Sequence, residues 1–201
     1  MSRFLNNTQG IMGLSLSQIA LFLAIGILLA SVLSFVFFNN WQRTNELRSF
    51  SHRFSSFLED MDYLFYENAT RFEFPEKTYP YTIQLSSEFI IASAKGVLGN
   101  DLHVVERFVI RPWIRSSPQN WTTGENLHDY LNTSYDHRGS QDDPISLENF
   151  TVLHQQQNTS ASYCALHPSE ILLHEPFFVE KATIFYGQGQ RYDVLLVYQL
   201  V

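Results

Sequence analysis

The sequence predicts an α+β protein: a long N-terminal helix, membrane-spanning in its first half and amphipathic in its second, packed on a mainly antiparallel β-sheet head. Three observations predict it. Residues 19–38 are twenty residues without a charge, large apolar residues then recur at helical spacing from Leu47, and past residue 68 the apolar period drops from 3.6 to 2. At 201 residues, 45% of them hydrophobic, the chain has room for one ordinary domain and an appendage.

The uncharged run comes first. As a helix rising 1.5 Å per residue it is roughly 30 Å long, the thickness of a bilayer's hydrocarbon core. A cleaved secretory signal is the alternative, with Arg3 as its basic region and a cleavage site near Ala30, but such an apolar region ends after about 7–15 residues. Here it continues through Val32, Leu33, Phe35, Val36, Phe37 and Phe38, so the sequence predicts a retained span over 11–40 behind a short polar leader, 1–10. A buried core helix is disfavoured, because nothing else in the chain is apolar enough to wrap it on all sides.

Beyond Trp41 the helix is predicted to continue. Leu47, Phe50, Phe54, Phe57, Met61 and Leu64 are spaced 3, 4, 3, 4, 3, which puts them on one seam, and no Pro or Gly interrupts between Val32 and Phe74. One helix from about Met12 to about Asn68 follows, with 41–68 as its amphipathic half. The seam packs either on the chain's own sheet or on another copy's helix; the heptads are too few for a free coiled coil.

The head, 69–201, reads as strands. "YTIQLSSEFIIAS" predicts a hairpin symmetric about Ser87, with Tyr81, Ile83 and Leu85 facing Phe89, Ile91 and Ser93. Further strands are expected at 71–74, 105–110, 150–155, 161–167, 177–186 and 191–200, the last two joined by a "GQGQ" hairpin turn. Thr122 and Glu125 have capping-box spacing ahead of Leu127, Tyr130 and Leu131, predicting a short helix to Asn132, and the polar stretch 133–146 predicts an exposed loop.

Charge and motifs then narrow the function. A net charge of −7 without a basic cluster argues against nucleic acid. One cysteine, Cys164, excludes an intrachain disulfide and a multi-cysteine metal site. Metalloprotease, nucleophile-elbow, Walker and dinucleotide motifs are absent from the sequence. Two loose polar groups, Asp101, His103 and Glu106, then His128, Asp129, Asp136, His137, Asp142 and Asp143, lack any recognised ligand spacing. The sequence therefore predicts no enzyme, no cofactor and no metal site, and assigns Trp113 and Trp121 to packing.

Five of the eight asparagines beyond Asn40 begin N-x-[ST]: Asn68, Asn120, Asn132, Asn149 and Asn158. Chance gives about one for an average composition, so the head is expected to be extracellular and glycosylated. Arg43, Arg48 and Arg53 would favour the opposite orientation, but they also serve as the solvated face of the amphipathic helix. A single-pass cell-membrane protein with its C-terminal domain outside is the expectation.

A polar leader, a helix apolar in its first half and amphipathic in its second, and a β-rich head with sequons together resemble type IV pilin-like proteins, particularly archaeal pilins and archaellins. The resemblance lies in the layout of residues 1–68. It implies leader removal after Gly10 or Gly13 and partnership with other pilin-like subunits through the N-terminal helix. No basic residue stands directly before either glycine, and the fifth mature position, often Glu in the family, would be Ser15 or Gln18. The resemblance therefore implies a minor or accessory structural subunit. The alternative is a membrane-tethered ligand-binding or enzymatic ectodomain.

Overall fold

A computed structural model describes residues 5–114 and 123–200. The fold is α+β, with one long N-terminal helix and an antiparallel-dominated head. Helix α1 (Leu5–Asp62) is unbroken across both halves. Its apolar half stands bare: between Leu16 and Phe38 most large apolar side chains are 47 to 73% exposed. Length and composition make it the one helix among the described residues fit to cross a membrane.

The outer half of α1 is the core of the head. Leu47, Phe50, Ser51, Phe54, Ser55, Leu58 and Met61 are buried, a wider stripe than the predicted seam. Such a stripe suits a helix covered on more than one side. The small Ser51 and Ser55 let strands approach closely, and Ser55 Oγ lies 3.5 Å from the Arg107 carbonyl it donates to.

The helix ends at Asp62, six residues before the predicted end. No glycine stops it. Leu64 N closes a tight last turn on Met61 O at 3.3 Å, and the Lys181 ammonium takes the Asp62 carbonyl. Residues 68–72 are instead drawn into strand β1 (Asn68–Phe72), pairing antiparallel with β7 (Phe177–Tyr186).

Two four-stranded sheets enclose the helix. The first has the order β4 (Asp101–Arg107), β3 (Phe89–Lys95), β2 (Tyr81–Leu85), β6 (Ser169–Ile171). The second runs β1, β7, β8 (Gln190–Gln199), β5 (Trp113–Ile114), with β5 parallel to β8 and the other pairs antiparallel. α1 shares a hydrophobic cluster with Ile83, Leu85, Ile90 and Ala92 of the first sheet and Val179, Leu195 and Val197 of the second. The second sheet's other face, with Ile184, Val194 and Leu196, is covered by α2 (Gly124–Tyr135) and α3 (Leu147–Leu166).

Further expectations are corrected. Residues 150–155 and 161–167 are not strands but fall in α3 and its C-cap, His167: Ser146 Oγ accepts from Asn149 N at 3.1 Å as its N-cap, and Leu153, Gln157, Ala161 and Cys164 are buried at gaps of 4, 4 and 3. Short windows rich in aromatic and β-branched residues hid that longer period. The β2–β3 hairpin forms, but Leu85 pairs with Ile90, so Ile90, Ala92 and Ala94 face the core and Phe89, Ile91 and Ser93 face out. One residue of register exchanges the faces. The α2 cap is Thr123, whose Oγ1 accepts from Asn126 N at 3.2 Å; Thr122 lies outside the described residues. α2 also continues past Asn132 to Tyr135, shortening the predicted loop. The terminal hairpin β7–β8 forms as expected, with Gly187 and Gly189 at positive φ in its turn.

Candidate functional site

Two regions combine exposed chemistry with a fixed frame: a cleft beside the distal end of α1, and the end of the head nearest the apolar half of α1. The cleft, about 390 Å³, lies between residues 65–67, the start of α2, residues 138–141 and the outer parts of β7 and β8. Its charged groups are already paired. Arg138 meets Glu125 at 2.6 Å and Asp129 at 3.3 Å, and Arg191 grips Asp193 through two nitrogens at 2.7 and 3.0 Å. Glu67 Oε1 accepts from Thr183 N at 2.9 Å.

His128 Nδ1 lies 2.7 Å from the Arg138 carbonyl, which only accepts, so Nδ1 carries a hydrogen and Nε2 faces Glu67 at 3.9 Å. Below the cleft, burial disfavours ionisation of Asp193, but hydrogen bonds from Arg191, Thr183 and Lys181 together outweigh it and hold the carboxyl below its ordinary range. These contacts clip the loop, α2 and the sheet together.

The loose polar groups found in the sequence do not converge. Asp101 pairs with Lys95, His103 with Ser93, and Glu106, on the opposite face of β4, with His52 on α1. His137 Nδ1 lies 2.6 Å from Asp143, whose carboxyl is held low by that hydrogen bond and by Arg138 N, while His128 and Asp129 turn to Glu67 and Arg138. Among the described residues no group of three or more His, Cys, Asp or Glu is placed to hold a metal ion.

The seam residues Leu47, Phe50, Phe54 and Met61 are buried in the cluster between the sheets, and Phe57 and Leu64 pack half-buried against it. The seam is thus filled by the chain's own head. Of the sequons, Asn132 on α2 and Asn158 on α3 are exposed; Asn68 in β1 and Asn149 in the first turn of α3 are half-buried; Asn120 lies outside the described residues. Gly10 and Gly13 lie within α1. Cys164 and Trp113 are buried, and Trp121 is not among the described residues.

The other end of the head was not foreseen from sequence. There the turn joining β3 to β4 is tied to Asn40: Asn40 Oδ1 accepts from Val97 N at 2.9 Å, and Asn40 Nδ2 lies 3.4 Å from Asn100 Oδ1. Arg43 donates to the Lys95 carbonyl at 2.5 Å. Nearby, burial and then the Glu46 carboxylate, 2.9 Å away, push the Tyr79 hydroxyl far above the usual phenol range, so it stays a donor that fastens residues 73–80 to α1.

No protein-family model matches this chain, and no curated protein or solved structure matches it.

Proposed function

We propose that the protein is a single-pass, membrane-anchored surface protein of the pilin-like kind, a minor or accessory structural subunit whose head lies outside the cytoplasm. One observation carries the reading: α1 is continuous from a bare apolar half into a half that forms the core of the head. A simple tether needs only a flexible linker between span and domain. Here the joint is rigid helix, so force or displacement applied to the membrane half passes directly into the head. That suits a subunit positioned through its N-terminal helix, with other pilin-like subunits as partners for the apolar half. The sequons support an extracellular, glycosylated head.

N-terminal sequencing of membrane-fractionated native protein tests this. A mature terminus at Ile11 or Leu14 is expected; an intact Met1 or Ser2 would overturn the pilin-like reading. Protease added to intact, wall-stripped cells is expected to degrade the head, and its full protection would reverse the orientation. The cleft favours a second reading, a tethered ligand-binding head, and an intact leader would raise it.

A further inference from the structure

The β3–β4 hairpin lies along α1. Ser55 meets Arg107 at its open end and Arg43 meets Lys95 at its turn end. Twelve helical residues and six strand residues both span about 18–20 Å, so the hairpin runs beside the helix with its turn directed back toward the apolar half. The turn, residues 96–100, is closed by Gly96 N on Asn100 O at 2.7 Å and Gly99 N on Gly96 O at 3.0 Å. A Cβ on Gly96 would press on Asn100 Oδ1 and come within 2.8 Å of Asn40 Oδ1, so a larger residue there would displace the two amide side chains that meet between turn and helix. Asn40 stands two residues beyond Phe38, the end of the apolar run. The turn is therefore held at the level where the apolar half of α1 ends.

What the turn presents is apolar. Leu98 is 73% exposed and Val97 38%, in a turn where polar residues are the usual choice. At the same level of α1, Trp41 is 54% exposed and packs on Phe38 at 6.1 Å between ring centroids. Tryptophan at the end of a span and a cation near it are the residues that favour a headgroup region. Arg43 supplies a cation, while Lys95 is paired with Asp101 at 2.5 Å. Two side chains on a narrow turn are far below the roughly 1,000 Å² that a stable protein interface buries.

We propose that this turn is a second membrane contact: Val97 and Leu98 enter the headgroup–acyl boundary of the leaflet from which α1 emerges, with Trp41 alongside. The proposal rests on α1 being a membrane span. Two attachment points, one helical and one through the turn, fix the tilt of the head and prevent it from pivoting about α1.

The test uses the full chain in phosphatidylcholine vesicles, with Cys164→Ala as background and an environment-sensitive fluorophore on Leu98→Cys, Phe37→Cys or Gln188→Cys. Phe37 reports the span, and Gln188, in the exposed β7–β8 turn, reports the distal end of the head. Spin-labelled lipid is expected to quench the labels at positions 37 and 98, with blue-shifted emission at both, and to spare position 188. Quenching at 37 with 98 behaving like 188 would overturn the turn contact and leave the span intact. No quenching at 37 would remove the span, and the proposal with it. A blue shift at 98 without lipid quenching would show that a second copy or another protein covers the turn, which also overturns it.

Discussion

Lys181 is a buried cation whose partners come from distant parts of the chain. Its ammonium donates to the Asp62 carbonyl at the end of α1 and lies 3.2 Å from Asp193 on β8. The last carbonyls of a helix lack intrahelical donors and carry the negative end of its dipole, so a cation there answers both needs. Lys181→Met would leave that carbonyl unanswered and remove one of three groups that steady Asp193. Breaking a buried pair costs about 3–5 kcal/mol, and because Asp193 keeps Arg191 and Thr183 the lower part of that range, about 3 kcal/mol, is expected from denaturant melts of the intact protein in micelles. Asp193 itself sets a pH dependence. Its folded carboxyl is held below the unfolded value, so its contribution is complete above that value and is lost as pH falls through the folded one. Stability should therefore decline below about pH 4. Asp193→Asn should be less stable at neutral pH and show a shallower acid decline, read from melting midpoints at stepped pH.

At the scale of elements, the outer half of α1 makes a graded prediction. Phe54 is 1% exposed and meets Phe72, Phe108 and Phe177 edge-on or tilted, whereas Phe57 is half-buried and meets Phe72. Phe54→Ala is expected to cost about 3–5 kcal/mol, the range for a buried phenylalanine. Phe57→Ala should cost distinctly less, and the exposed Arg53→Ala should stay within about 0.5 kcal/mol. Equal losses at 54 and 57 would contradict this packing. Helix α2 makes a local prediction: Thr123→Ala removes the acceptor for Asn126 N, worth about 1 kcal/mol. Hydrogen exchange should quicken through α2 and leave the β7–β8 hairpin unchanged.

For the whole molecule, the division falls at Asn40. The apolar half of α1 has no covering from the head, while the outer half is the middle of its core. A chain beginning at Asn40 is therefore expected to fold and to melt close to the full-length protein. One beginning at Leu64 loses the core of the sandwich and should remain unfolded by circular dichroism and hydrogen exchange. A folded head without residues 40–63 would show that α1 merely lies against it.

The local patterns are legible in the order of residues alone. Twenty uncharged residues and the seam from Leu47 to Leu64 mark α1 because helical amphipathicity is written over a few turns, and the GQGQ turn between two alternating runs marks β7–β8 because hairpin partners are adjacent in sequence. The misassigned or unseen parts depend on distant residues. Helix α3 carries strand-like windows and is settled by Ser146 and by a face buried against the second sheet. The register of β2–β3 is set by which side chains meet α1, and the two-residue β5 and three-residue β6 are too short to show a period at all. The cleft gathers residues as far apart as Phe65 and Arg191, and the apolar turn at Val97 and Leu98 gains meaning only through Asn40, 57 residues before Val97. Periodicity is a property of neighbouring residues, so sequence order carries it. Register, sheet order and the meeting of remote side chains follow from which faces the folded chain buries, and only the tertiary structure decides them.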